Sequence, residues 1–253
     1  MNMPLFQSPQ LIFDLYVLPQ QLTGSDLWIK ILMDVLVENK FFSIFSFLFG
    51  LGFYIFMDRA EKRGDSYYSL YIRRLLTLAL FGALHLVLLW YGDILLTYAL
   101  AGFLLILFYK RKSKTILTFI LFFTVTLIAL LAINFLVPTE MLEQEINTLQ
   151  TEGAGKVEEA IYHYNHSSYS EWLSYRFHNE VIPILQHMPF SILAALYMFL
   201  VGLYVGKRQL ISHFTTHQKL AKRVWWMTLT IKHSFMYSNH SSPSTHSRFW
   251  NSK

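Results

Sequence analysis

The chain contains no cysteine, and only 15% of its residues are charged. The first absence excludes disulfide frameworks, thiolate metal sites and cysteine nucleophiles, while leaving the compartment open. The second sets the chain apart from soluble domains, of which about a quarter is charged. The deficit is uneven: long apolar blocks alternate with short charged clusters, the pattern of repeated membrane spans. No basic stretch followed by an apolar run opens the sequence, so no signal peptide is expected. The net charge of +5 does not point to nucleic acid, because the basic residues flank the apolar blocks, where they act as topology signals.

What is present is apolar and aromatic, 54% and 17% of 253 residues. Five blocks stand out, at residues 41–57, 75–91, 94–109, 115–137 and 189–205. A helix needs roughly 20 residues to cross about 30 Å of hydrocarbon. The fourth block meets this outright, and the others meet it with their flanks counted as interfacial. Helices are expected over strands, since every backbone polar group must be satisfied inside lipid. The fold class is therefore an all-α polytopic bundle of about five spans.

Positive charge sets the threading. Arg59, Lys62, Arg63, Arg73 and Arg74 separate the first two blocks; Lys110, Arg111, Lys112 and Lys114 separate the third and fourth; Lys207 and Arg208 follow the fifth. Residues 138–180 hold eight glutamates against Lys156 and Arg176. Basic loops stay cytoplasmic, which places residues 1–40, the WYGD hairpin and the acidic loop outside. The expected divisions are an outer segment 1–40, a four-span block 41–137, an extracytoplasmic loop 138–180, a fifth span 181–206 and a cytoplasmic tail 207–253. Localisation to a bacterial inner membrane follows.

Within 1–40, residues 26–39 carry Lys30, Asp34 and Glu38 on one stripe and Leu27, Trp28, Ile31, Leu32, Val35 and Leu36 opposite. They read equally as a helix lying in the membrane interface or as one packed on the bundle. In the acidic loop, residues 140–150 suggest a polar helix, broken at Gly153 and Gly155. Sequons occur at Asn165 and Asn239. After Arg223, VWWMTLTI begins like a span but stops after eight residues. The following KHSFMYSNHSSPSTHSRFWNSK is rich in serine and histidine. It reads as a metal-binding tail or as a stretch out of frame after about residue 230.

His85 interrupts the second block. An ionisable side chain in a span costs ~3 kcal/mol on insertion scales and faces a bundle interior or a wet cavity. Arg74, Thr77, Phe81, His85, Leu88 and Gly92 fall within a helical stripe about 80° wide, expected to pack inward. One reading of His85 is a hydrogen bond to another helix, with Thr97, Tyr98 or Asn134 as partner. The other is a proton acceptor, since histidine titrates near neutral pH. No second ligand lies three or four residues away, so neither metal nor cofactor is expected. Asp93, about 12 Å further along a helix axis, is placed out of reach of His85; it caps the third helix or lines an outer entrance. Arg73 and Arg74 set topology or bind an anionic donor. Gly202 and Gly206, in GxxxG spacing, together with Gly50 and Gly52, indicate close helix approach.

Ordered motifs add a resemblance. FSFLFGLGFYIFMDRAEKRG and YIRRLLTLALFGALHLVLLWYGDILLTYALAGFLL are similar to the YeiB-like bacterial membrane proteins, classed as domain of unknown function 418. The shared pattern is Leu48–Phe53, the Arg73–Arg74 pair, Gly82 with His85, and Gly92 with Asp93. YMFLVGLYVGKRQLI and SSYSEWLSYRF resemble later family segments, the second ending in arginine. The resemblance covers about residues 1–225 and implies a longer protein, with this chain opening inside an Asn-Met-Pro stretch and lacking a further helical half. It also implies distant similarity to membrane acyltransferases that modify extracytoplasmic sugars, making an envelope glycan a partner beside the bilayer. Transport or export assistance is the other functional class, and a nonfunctional remnant the third.

Overall fold

The computed structural model describes residues 10–18, 39–134 and 136–210. They divide into two units: Met1–Arg208, which carries every described helix, and Gln209–Lys253, of which only Gln209 and Leu210 are described. The amphipathic segment 26–38, the tail from residue 211 and Asn239 lie outside the described residues.

The described fold is all-α. In chain order it runs α1 (Gln10–Leu15), α2 (Asn39–Lys62), α3 (Tyr67–Leu88), α4 (Leu95–Ile106), α5 (Ser113–Asn134), α6 (Thr139–His166), α7 (Tyr169–Arg176), a π-helical turn (Phe177–Val181) and α8 (Ile182–Lys207). Four stretches are long and apolar enough to cross a membrane: most of α2, α3, α5, and the continuous run of α7, the π-turn and α8. The third expected span is shorter than the sequence suggests. α4 has 12 residues and rises only ~18 Å, because the chain leaves the helix after Ile106 in tight turns from Leu107 to Arg111.

α2, α3, α4 and α8 share one core built on Phe53, Met57, Leu75, Tyr98, Leu105, Phe199 and Leu203. In lipid, packing and close backbone approach carry association more than the hydrophobic effect does. α2 and α8 meet at glycines accordingly. A Cβ on Gly50 would lie 2.6 Å from Phe199 Cα, one on Gly202 2.7 Å from Leu51 N, and one on Gly206 2.6 Å from Tyr54 Cδ1. Gly52 differs from the expectation: it faces open space. Polar ties add to this packing. Tyr98 donates to the Phe42 carbonyl at 3.1 Å and pairs with Ser46 at 2.7 Å. Lys207 donates to the carbonyls of Tyr109 and Arg111, and Tyr109 donates to Glu61 at 2.6 Å.

The acidic segment is ordered. α6 runs 28 residues straight through Gly153 and Gly155, so the expected break is absent. Gly153 is buried against Tyr16, in the turn that follows α1, and that contact together with Ala160 and Tyr175 outweighs the poor helix propensity of glycine. Residues 169–180, expected in the loop, instead begin the long helical run that ends at Lys207. Its π-turn has a local cause. Pro183 lacks an N–H and its ring crowds the carbonyl four residues back. The helix widens by one residue, and Ile182 N–H bonds to the Phe177 carbonyl.

Candidate functional site

α3 ends where its backbone folds over. The amides of Leu89 and Trp90 both donate to the His85 carbonyl at 2.9 Å, and the chain turns back toward α4. This overturns the expected separation of His85 and Asp93, which assumed a helix continuing to residue 93. His85 Nδ1 lies 3.0 Å from Asp93 Oδ1. The second carboxylate oxygen accepts the Leu96 amide at 2.8 Å, so Asp93, just before the N-cap residue Ile94, also satisfies a first-turn amide of α4. The Asp93 side chain is 1% exposed and that of His85 33%. An ionised carboxylate can only accept, so in that state of Asp93 the Nδ1–H donates to it, and in a neutral imidazole the lone pair is then on Nε2. The Trp90 ring stands edge-on to the imidazole at 6.4 Å.

The buried face of α3 is rotated from the stripe the sequence suggests. Tyr71, Leu75, Gly82 and Leu86 are buried, whereas Arg74, Thr77, Phe81 and Leu88 are exposed. The determinant is Gly82, whose missing side chain admits the backbone of α4; a Cβ there would lie 2.8 Å from Leu96 Cα. His85 therefore sits at the rim of the seam. Thr97 is buried in α4, Tyr98 serves α2 as described, and Asn134 closes α5.

A second polar cluster borders the same end of α3. Arg176 and Glu180, one helical turn apart, form a buried pair at 3.0 Å. The two remaining guanidinium nitrogens of Arg176 donate to the Leu86 carbonyl at 3.1 Å and the Val87 carbonyl at 3.3 Å. Tyr164 of α6 donates to the other Glu180 oxygen. Burial, and then that hydrogen bond and charge, push the Tyr164 phenol well above its ordinary range. Burial, with Asp14 and Glu180 nearby, raises Tyr91 in the hairpin to about 12. Neither Glu180 nor Tyr164 stands out in the sequence. Their only signal is the YRFHNE spacing, which puts Arg176 and Glu180 on one helix face.

Arg73 and Arg74 are not brought to this site. They lie at the other end of α3, ~17 Å away along the axis, on an open groove of about 730 Å³ lined by Phe56, Arg63, Leu70, Arg73, Arg74 and Thr77. Arg74 stacks over the Phe56 ring at 4.7 Å. Among the described residues no cluster of three or more metal-ligating side chains occurs.

Comparison with known proteins bears on the same segments. Over 211 residues, 79% of this chain, it is 34% identical to the uncharacterised protein YxaH of Bacillus subtilis (strain 168), covering 51% of that protein. Over 81 residues it is 36% identical to the uncharacterised protein YeiB of Escherichia coli (strain K12), 32% of this chain and 19% of that one. The chain belongs to the YeiB-like proteins. A further relative, an uncharacterised 39.9 kDa protein from the amylase 3′ region of Bacillus acidopullulyticus, is 47% identical over 78 residues, 31% of this chain and 22% of that protein. No family model matches and no solved structure matches. This YeiB-like chain spans about half the length of YxaH. With four stretches among the described residues long and apolar enough to cross a membrane, it is a membrane protein in contact with the lipid bilayer.

Proposed function

We propose that this YeiB-like protein takes part in acyl transfer to a hydroxyl-bearing cell-envelope substrate, such as a glycan, at a bacterial inner membrane. The His85 end faces outward and the Arg73–Arg74 groove faces the cytoplasm. The observation that carries this reading is the His85–Asp93 pair: an imidazole at the rim of a seam, held through Nδ1 by a buried carboxylate that the α4 backbone fixes in turn. That is the arrangement of a general base with an orienting partner.

In this reading the acceptor hydroxyl gives its proton to His85 Nε2 as its oxygen attacks the acyl carbonyl of a thioester donor. The carbon–sulfur bond breaks, and the imidazolium returns the proton to the departing thiolate. Asp93 stabilises the imidazolium through Nδ1. Arg63, Arg73 and Arg74 hold the phosphate groups of the donor, and ~17 Å of α3 is a span that an extended thioester arm bridges.

The test uses membrane vesicles carrying the full chain, radiolabelled acetyl-coenzyme A as donor probe, and transfer of label to the glycan and lipid fractions as readout. His85→Ala and Asp93→Asn are expected to lower transfer by about 10²–10⁴-fold at unchanged membrane levels. Transfer that persists in both variants contradicts the reading. Solute flux driven by a proton gradient, without transfer, would favour transport instead.

A further inference from the structure

We infer that Arg176 is a positioning residue for His85, and that Glu180 and Tyr164 tie it to the acidic helix α6. The inference rests on His85 acting as the proton acceptor, and it concerns what holds that histidine in place.

The last carbonyls of a helix have no partner within it. In α3 two of these, on Leu86 and Val87, immediately follow His85, and both are taken by one guanidinium. The planar fork of arginine fixes their relative position in a way that a lysine ammonium does not. The fork is itself fixed. Its Nε is bonded to Glu180 at 3.0 Å, its face lies 5.4 Å from the Trp172 ring, and its side chain is 1% exposed. Glu180 is held from the far side by Tyr164.

The result is one chain of contacts, from α6 through the π-turn to the residue next to His85. The π-turn is what gives this chain its geometry, since the extra residue per turn resets the face that follows; such turns recur at functional sites. Beyond Val87 the backbone bends back on the His85 carbonyl, and that bend brings Asp93 to the imidazole. Holding Leu86 and Val87 therefore holds both members of the pair.

The experiment places the full chain, labelled with ¹⁵N-histidine, in phospholipid nanodiscs. The Nδ1–H resonance of His85 is identified by its loss in His85→Gln. In the natural sequence it lies downfield, as a proton shared with a carboxylate does. Arg176→Lys keeps the charge but loses the fork, and is expected to lose the downfield resonance while the amides of the α2–α8 core keep their exchange protection. Acyl transfer from acetyl-coenzyme A falls about tenfold or more in kcat with KM within about twofold, the mark of misplacement rather than lost binding. If Arg176→Lys does not fold, Glu180→Gln is read the same way. A folded variant with the downfield resonance intact overturns the inference. If the resonance is lost but the natural sequence transfers no acyl group, Arg176 still positions His85 and the acyltransferase reading fails on its own.

Discussion

At the scale of single residues, one carboxylate and one guanidinium do most of the organising. Asp93 joins the end of α3 to the start of α4, and Arg176 joins the end of α3 to the long helix. Tyr164 closes the second set and carries a pH signature. Its folded-state ionisation is raised by burial first and by Glu180 second, so the protonated phenol belongs to the native form. The unfolded chain releases that proton near pH 10. Stability is therefore complete below about pH 10 and declines as pH rises above it. Melting followed by circular dichroism from pH 8 to 12 should show a steeper fall in Tm for the natural sequence than for Tyr164→Phe. Parallel curves would mean that Glu180 does not hold the phenol. His85 is legible from sequence alone, as a histidine in an apolar run. Its partner is not. Helical rise arithmetic separates residues 85 and 93, and although WYGD reads as a hairpin, nothing in LHLVLLWYGD marks a stop as early as Leu88. Arg176 and Glu180 stay hidden because their burial depends on α3, some ninety residues earlier.

At the scale of elements, glycines decide where helices meet, and spacing alone does not say which of them do. Gly50, Gly82, Gly202 and Gly206 all receive a neighbouring helix, whereas Gly52 receives none. The same contrast occurs within α6. Gly155 faces open space, while a Cβ on Gly153 would lie 2.7 Å from Tyr16 Cγ. Gly155→Ala should stabilise the protein by up to about 1 kcal/mol through helix propensity. Gly153→Ala should destabilise it by about 1–3 kcal/mol through overpacking. Chemical denaturation of both variants in detergent micelles checks this; equal shifts would show that α1 does not pack on α6. The sequence indicates a break at these glycines because propensity is the only term visible there, and the tertiary contact with Tyr16 is not.

For the molecule as a whole, the apolar blocks were fully legible as an all-α fold, because their composition reflects the solvent around them. α5 shows this most plainly. Its most apolar 18-residue stretch has a mean hydropathy of 2.8, and Leu121, Phe122, Val125 and Ile128 are each more than half exposed, as lipid-facing side chains are. The count of spans was less legible. Residues 94–109 read as a full span, but the turns after Ile106 shorten α4. The extent of the acidic loop was hidden too, since polar helices and polar loops share a composition. The central claim is that the described helices cross a bilayer and leave the two polar ends of the bundle on opposite sides. A chain without cysteine permits a direct measurement, in which single cysteines placed by Lys112→Cys and Gln144→Cys flank α5 and react with a membrane-impermeant maleimide on intact cells. The account predicts that residue 144 labels from outside and residue 112 only after permeabilisation. Labelling of both positions from the same side would contradict it.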